Sequence, residues 1–182
     1  MKKLLVIAVF ALCFALPAQE ARREVSTGTG NPAIDNKPNS PDVPDVFAVS
    51  GHLERIVVLR FKFGSDLLAG LEKMVAQEHI KNAVILSGIG TLRGYQLHIV
   101  SNRDLPAKTT YIKNPTAPAD IVGMSGMVMN GHIHPHITLA NADKAFGGHL
   151  EPETTVFSFA VVTLGVLDDK IDMNRFDDVS YR

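Results

Sequence analysis

The chain has 182 residues, the length of one domain, with 46% hydrophobic and 20% charged residues, which excludes a multidomain assembly and a disordered chain. Its 18 basic and 19 acidic residues give a formal net charge of −1, so no basic field is present to grip a phosphate backbone. The chain has no Trp and three Tyr, which also argues against an aromatic platform for stacking bases.

The first 18 residues have the three-part layout of a secretory signal peptide. Two lysines precede an apolar run of thirteen residues at 4–16, and the sequence turns polar after Ala18. A membrane-spanning helix needs roughly 20 apolar residues, so we expect cleavage rather than a retained anchor. The exported chain, periplasmic or secreted, would begin at Gln19 without a membrane span and without Cys, because the single Cys13 lies in the removed segment.

Residues 19–46 are dense in Pro, Gly, Asn and Ser and show neither helical nor strand periodicity. Such a composition is typical of an extended, flexible linker. We therefore expect the folded domain to span residues 47–182, a length that can bury a hydrophobic core.

The pattern along that domain predicts one main helix and many strands. Apolar residues recur at helical spacing over residues 66–78, with Ser65 as a candidate N-cap. The β-branched and alternating runs predict strands at residues 55–63, 83–87, 95–100, 109–112, 119–130, 132–141 and 154–167. Gly88 and Gly90 are expected to form a turn between two of these strands, and the tail from Asp168 an edge strand or a loop. The expected fold class is α+β: a single domain with a mostly antiparallel, barrel-like β-sheet and one main α-helix.

The histidines concentrate in one region of the sequence. Four of the seven fall in the segments His132-Ile133-His134-Pro135-His136 and Gly147-Gly148-His149. Residues two apart on a strand share a face about 6–7 Å apart, so the first three imidazoles would project together. The double glycine permits a close backbone approach or a positive φ, which would bring His149 to the same centre. Three imidazoles would leave a fourth metal position open; the alternative is a solvated strand that binds nothing.

Imidazole ligands suit Zn, Ni or Cu rather than Ca or Mg. The three remaining histidines are expected to be unrelated to the cluster. His79 would close the helix, where a cation suits the helix dipole, and His98 would alternate along a strand; His52 precedes the first strand of the domain.

Four segments together resemble one known family. They are Gly88-Ile89-Gly90-Thr91-Leu92, Ile121-Val122 through Ser125-Gly126, His134-Pro135-His136-Ile137-Thr138-Leu139-Ala140 and Phe146-Gly147-Gly148-His149-Leu150. Their order and intervals are similar to those of the PPC domain, the plants and prokaryotes conserved domain, formerly a domain of unknown function. The resemblance covers about residues 50–170.

The resemblance implies an antiparallel α+β fold, a homotrimer and a bound divalent metal, zinc. Carried onto this sequence, the implied ligands are His134, His136 and His149, with His132 as a spare ligand or a supporting group. Plant members join the domain to AT-hook motifs, but this chain has no Arg-Gly-Arg-Pro core and is slightly acidic. The resemblance therefore does not carry nucleic-acid binding onto this chain.

Two functions follow as hypotheses. The favoured one is an exported, homotrimeric metal-binding module that takes zinc or another divalent ion and a small-molecule ligand. The alternative is a metal-dependent hydrolase in which the metal lowers the pKa of a bound water. Such an enzyme needs a proton acceptor beside the metal; Glu151 is the nearest carboxylate in sequence, and Glu153 and Asp143 are weaker candidates.

Overall fold

The computed structural model of the chain describes residues 23–31, 33 and 37–182, so the predicted signal peptide at 1–18 lies outside the described residues. The helix α1 spans Leu67–Gln77. The strands are β1 Glu24–Thr29, β2 Leu53–Lys62, β3 Ala83–Val100, β4 Lys108–Asn114, β5 Ala119–Met129, β6 His132–Ala140, β7 Ala145–Leu150 and β8 Thr155–Leu167. Within the described ranges, no helix has the length and apolar character that a membrane crossing requires.

The eight strands form one sheet in which every pairing described is antiparallel. The long strand β3 pairs with β8 and β5 over its first half and with β4 and β7 over its second. The path from β3 through β5, β6 and β7 therefore returns to β3. The α+β class with a mostly antiparallel sheet is confirmed, and the barrel-like character of the sheet stays a prediction.

Helix α1 matches its predicted position and covers the sheet core. The N-cap is Asp66 rather than Ser65, since the Asp66 side chain accepts a hydrogen bond from the Ala69 backbone N–H at 2.9 Å. The helix buries Leu67, Leu68, Leu71 and Val75, which are spaced as one face of a helix. Fully burying each of these side chains contributes roughly 1.5–3 kcal/mol.

The predicted turn at Gly88 and Gly90 is wrong, because both glycines lie inside the continuous strand β3. Gly90 has φ +149°, and a Cβ there would lie 2.6 Å from the Cα of Ala160 on β8. The pairing of β3 with β8 shifts register between Gly90 and Leu92. The glycine therefore serves a β-bulge and a close strand approach rather than a chain reversal.

The segment predicted as a flexible linker contributes a strand. Residues Glu24–Thr29 form β1, which pairs with β4 from Glu24↔Lys113 to Thr29↔Lys108. The partner strand supplies the hydrogen bonds for this polar, exposed segment. Local composition does not record a partner so distant in sequence, so the strand could not be predicted from periodicity.

The tail after β8 is a loop, as one of the two predicted alternatives has it, and it packs back on the sheet. Ile171 and Met173 are buried against Met129 of β5. The Asn82 side-chain amide donates to the Ile171 carbonyl at 3.0 Å. These contacts place the tail near the first half of β6, which carries His132, His134 and His136.

Candidate metal site

Three neighbouring strands align their histidines in one row. His136 on β6 lies directly opposite His149 on β7, and His149 lies opposite His98 on β3. Opposite residues in an antiparallel pair project from the same face at close range. The ring centroids are accordingly 5.4 Å apart for His136 and His149 and 4.5 Å apart for His98 and His149.

His134 completes the cluster from a position two residues before His136. Its ring centroid lies 5.3 Å from that of His136 and 4.7 Å from that of His149. The structure therefore brings together the three histidines that the sequence predicts as ligands. It also adds His98, so the expectation that His98 is unrelated to the cluster is wrong.

The nitrogen spacing of two predicted ligands, His134 and His136, fits a single ion. The Nε2 atoms of His134 and His136 are 3.3 Å apart. Two nitrogens bound at 2.0–2.1 Å to a tetrahedral ion are also about 3.3 Å apart, and the ring centroids of such ligands are roughly 5 Å apart. All three centroid distances among His134, His136 and His149 lie near that value. Among the described residues, the three whose donor atoms all lie within 4.8 Å of one another are His98, His149 and Glu151. The nitrogen spacing of one tetrahedral ion is therefore seen for His134 and His136, with the ring of His149 beside that pair.

The double glycine holds strand β7 between its neighbours. Gly147 and Gly148 lie inside β7 and neither has a positive φ, so that predicted alternative is not the one found. The expected close approach is confirmed: an added Cβ would lie 2.3 Å from the Ile137 carbonyl oxygen at Gly147 and 2.5 Å from the His98 carbonyl oxygen at Gly148. Gly147 leaves room for the backbone of β6, and Gly148 leaves room for the backbone of β3. These two close approaches determine the position of His149.

Two carboxylates contact the Nδ1 side of the imidazoles. Oδ1 of Asp177 lies 3.0 Å from Nδ1 of His134. Glu151 is hydrogen-bonded to Nδ1 of His98, and the same oxygen lies 3.8 Å from Nδ1 of His149. A carboxylate on one ring nitrogen fixes the tautomer and leaves the other nitrogen for a metal. Glu151, the candidate proton acceptor, is thus hydrogen-bonded to His98 and lies near His149 without a hydrogen bond to it.

Burial keeps the central imidazoles neutral. Desolvation, reinforced by the neighbouring His98 and His134, lowers the pKa of His149 from 6.5 to about 4, although Glu151 opposes the shift. Desolvation, with the charges of His134 and His98, also lowers the pKa of His136. Among the described residues, Nδ1 of His149 is buried without a hydrogen-bond partner. A neutral imidazole is the form that binds a metal.

The lowered pKa of His149 predicts a pH-dependent stability of the metal-free protein. Between pH values of about 4 and 6.5 the unfolded chain binds a proton at this residue and the folded chain does not, so the free energy of unfolding should rise with pH across that window. The contribution is at most about 3 kcal/mol. Urea unfolding with a chelator present, at about pH 4.5 and pH 7, should show this rise in the wild type and a smaller one in His149→Gln. An equal rise in both proteins would contradict the assignment.

The other candidate residues lie outside the cluster. His132 is exposed at the start of β6, opposite Met129. Glu153 is ion-paired with Lys113, and Asp143 is exposed in the turn between β6 and β7. His79 follows the helix with φ +52°, as expected of a helix end. His52 lies 3.3 Å from a carboxylate oxygen of Asp168, away from the other rings as predicted.

A small pocket adjoins His134 and His136. Its volume is about 210 Å³, and its other lining residues are Gly126, Met127, Met129, Phe176 and Asp177. The lining is mostly apolar, with the two imidazoles and one carboxylate as its polar groups. An ion held by the histidines would therefore have space for a small ligand at an open coordination position.

The fold and the cluster define a class of protein: a single α+β domain whose antiparallel sheet carries a group of neighbouring imidazoles on three strands. The model of one family matches the chain, namely the Plants and Prokaryotes Conserved (PCC) domain, over residues 48–168. The chain belongs to this family. The resemblance carried by the glycine and histidine motifs is thereby confirmed.

Solved structures share the fold. A metal-containing protein from Archaeoglobus fulgidus has a TM-score of 0.59 and 22% identity, over 75% of this chain and 96% of that one. A plant- and prokaryote-conserved (PPC) protein from Pyrococcus horikoshii has a TM-score of 0.55 and 23% identity, over 70% of this chain and 89% of that one. At these identities the likeness shows the fold alone.

A curated relative is much longer than this chain. The bifunctional protein GlmU of a Synechococcus strain is 28% identical over 111 residues, which are 60% of this chain but 16% of that protein. The shared part is thus a small fraction of the relative, and the name of the relative describes a much larger protein.

Proposed function

We propose that the protein binds a divalent metal ion, zinc, through the imidazoles of His134, His136 and His149. The observation that carries the proposal is the 3.3 Å separation of the His134 and His136 Nε2 atoms, the separation of two ligands on one tetrahedral ion. The pKa of His149, lowered to about 4, supports it, because that ring is a neutral donor at ordinary pH. A solved structure of the same fold is described as metal-containing.

A second group of donors overlaps this one. One nitrogen each from His98 and His149 and one Glu151 oxygen lie within 4.8 Å of one another. We assign this group to support rather than to ligation. Glu151 lies at hydrogen-bond range from Nδ1 of His98 but 3.8 Å from Nδ1 of His149, so it is placed as a hydrogen-bond acceptor and not as one of three evenly spaced ligands. Its role would be to orient the ring of His98 through the hydrogen bond to Nδ1.

The proposed activity is binding rather than hydrolysis. A hydrolase needs a proton acceptor free to take a proton from a metal-bound water. Glu151 is engaged with His98 and lies beside the Nδ1 atom of His149, so its position does not favour the hydrolase. The metal would instead present an open position to a small molecule in the adjoining pocket of about 210 Å³. The net charge of −1 does not support nucleic-acid binding.

The proposed assembly is a homotrimer, as the family resemblance implies. The outer face of the β2–β8–β3 sheet carries several apolar residues where an antiparallel sheet usually meets water with polar residues. Its exposed residues include Ile56, Val58, Ile89, Phe157 and Phe159. Val58, for example, is 64% exposed. Arg60 projects from the same face and stacks on Phe159. Exposed apolar residues grouped on one sheet face are typical of a protein–protein contact, and we propose that copies of this chain cover them.

The proposed location is outside the cytoplasm. The support is the sequence of residues 1–18, with two lysines, an apolar run of thirteen residues and a polar segment after Ala18. This order of segments is typical of a secretory signal peptide.

One preparation tests these proposals together. Protein recovered from the exported fraction of producing cells should begin at Gln19 in mass spectra, elute at the size of three chains and retain one zinc ion per chain through dialysis. Nickel or copper in place of zinc would correct the identity of the ion. Protein that neither retains nor takes up a divalent ion would overturn the metal site. A single-chain size would overturn the trimer, and an intact Met1 in the cytoplasm would overturn export.

A further inference from the structure

The C-terminal tail forms part of the wall of the metal site, although it follows the family match. The match ends at residue 168, and Phe176 and Asp177 line the pocket beside His134 and His136. The structure thus supplies two lining residues from a segment that belongs to this chain rather than to the conserved domain.

Contacts made by residues 169–176 hold this part of the tail in place. Before it, Lys81 donates to the Asp169 carbonyl at 2.8 Å, and Asn82 donates to the Ile171 carbonyl at 3.0 Å. Nearer the site, the Asn130 side chain donates to Asn174 Oδ1 at 2.8 Å. The ring of Phe176 packs on Phe47 with centroids 4.8 Å apart. These contacts place Asp177 beside His134.

We propose that Asp177 is a positioning residue of the metal site, an inference that rests on the proposed function. Its Oδ1 lies 3.0 Å from Nδ1 of His134, where the carboxylate favours a proton on that nitrogen. The proton of the neutral ring is then held on Nδ1, and the lone pair of Nε2 is free for the ion.

Because His134 and Asp177 are both partly exposed, a role of Asp177 in orienting His134 can be distinguished from a role in stabilising the fold. The side chains of His134 and Asp177 are 39% and 51% exposed, and ion pairs so accessible to water contribute little to folding. Loss of the Asp177 carboxylate should therefore leave the unfolding transition nearly unchanged. Its effect should appear instead in the tautomer of His134 and in the affinity for the ion.

The experiment compares Asp177→Asn with Asp169→Asn, a matched loss of one tail carboxylate. Asp169 contacts Lys81 through its backbone carbonyl, so its variant keeps that contact. The dissociation constant for zinc, measured by competition with a chromophoric chelator, should rise about 10-fold in Asp177→Asn and stay unchanged in Asp169→Asn. In metal-free protein, nitrogen NMR should show the His134 proton on Nδ1 in the wild type and a shifted tautomer in Asp177→Asn. Asp177→Glu, which keeps the carboxylate, should recover part of the affinity.

Two outcomes overturn the inference without touching the proposed function. They are an unchanged dissociation constant in Asp177→Asn, and a His134 tautomer that is the same in wild type and variant, while the wild type binds zinc. A wild type that binds no zinc would overturn the proposed function itself. The tautomer measurement in metal-free protein would then still decide whether Asp177 orients His134.

Discussion

Replacing His134, His136 and His149 together by Ala is expected to abolish metal retention. The three rings are the group whose centroids, 4.7 to 5.4 Å apart, fit one tetrahedral ion. Removing all three leaves no pair of imidazoles at ligand spacing. Elemental analysis after dialysis should show one ion per chain in the wild type and none in the triple variant. Far-ultraviolet circular dichroism of the variant checks that the sheet has formed.

Single variants decide which of the two overlapping donor groups holds the ion. If the ion lies between His134, His136 and His149, His136→Ala should weaken binding by on the order of 100-fold or more. In that case His98→Ala and Glu151→Gln should cost about 10-fold, the range of a supporting contact. The reverse order would place the ion at His98, His149 and Glu151. His132→Ala, which removes an exposed ring of the same strand, is the matched control and should retain the ion.

The proximity of His134 and His136 could be predicted from the sequence because the two residues are neighbours on one strand. A strand repeats every two residues, so His134 and His136 had to share a face once β6 was recognised. His149 was reached by the double glycine and the family resemblance. Its alignment opposite His136 depends on the pairing of β6 with β7, two strands joined by a short turn.

The other site residues depend on contacts that no local pattern records. His98 contacts His149 because the second half of β3 pairs with β7. The two residues are 51 positions apart in the sequence. Asp177 meets His134 because the tail folds back over β5 and β6. Both residues look unremarkable in sequence, a histidine in an alternating strand and one acidic residue in a polar tail. Long-range pairing determines their roles.

The glycines correctly indicated where two backbones approach closely, but the chain does not reverse direction at the glycines of β3. The glycines of β3 were interpreted as a site of chain reversal, a common use of closely spaced glycines, and those of β7 as permitting a close backbone approach or a positive φ. In the structure Gly90 and Gly148 lie within strands and leave room for a neighbouring backbone. The sequence shows that these positions are glycine. The backbone atoms that leave no room for a Cβ belong to other strands, and the sequence does not show which strands are neighbours.

Gly148→Ala is therefore expected to damage both the fold and the site. The added Cβ would lie 2.5 Å from the His98 carbonyl oxygen and 2.9 Å from a methyl carbon of Ile99, so β7 must move away from β3. We expect a loss of about 2–3 kcal/mol in the free energy of unfolding, measured by urea denaturation. Because the next residue is His149, zinc affinity should fall in the same variant.

The matched control is Gly123→Ala on β5, where an added Cβ would meet nothing within 4 Å. This substitution should change the stability by about 0.5 kcal/mol or less, since the position has space and needs no positive φ. Equal stabilities for the two variants would mean that β7 does not need its close approach to β3. A Gly148→Ala protein that unfolds early but binds zinc as tightly as the wild type would separate the strand contact from the placement of His149. The structure predicts that the two losses occur together, because a single backbone approach aligns His149 with His98 on one side and with His136 on the other.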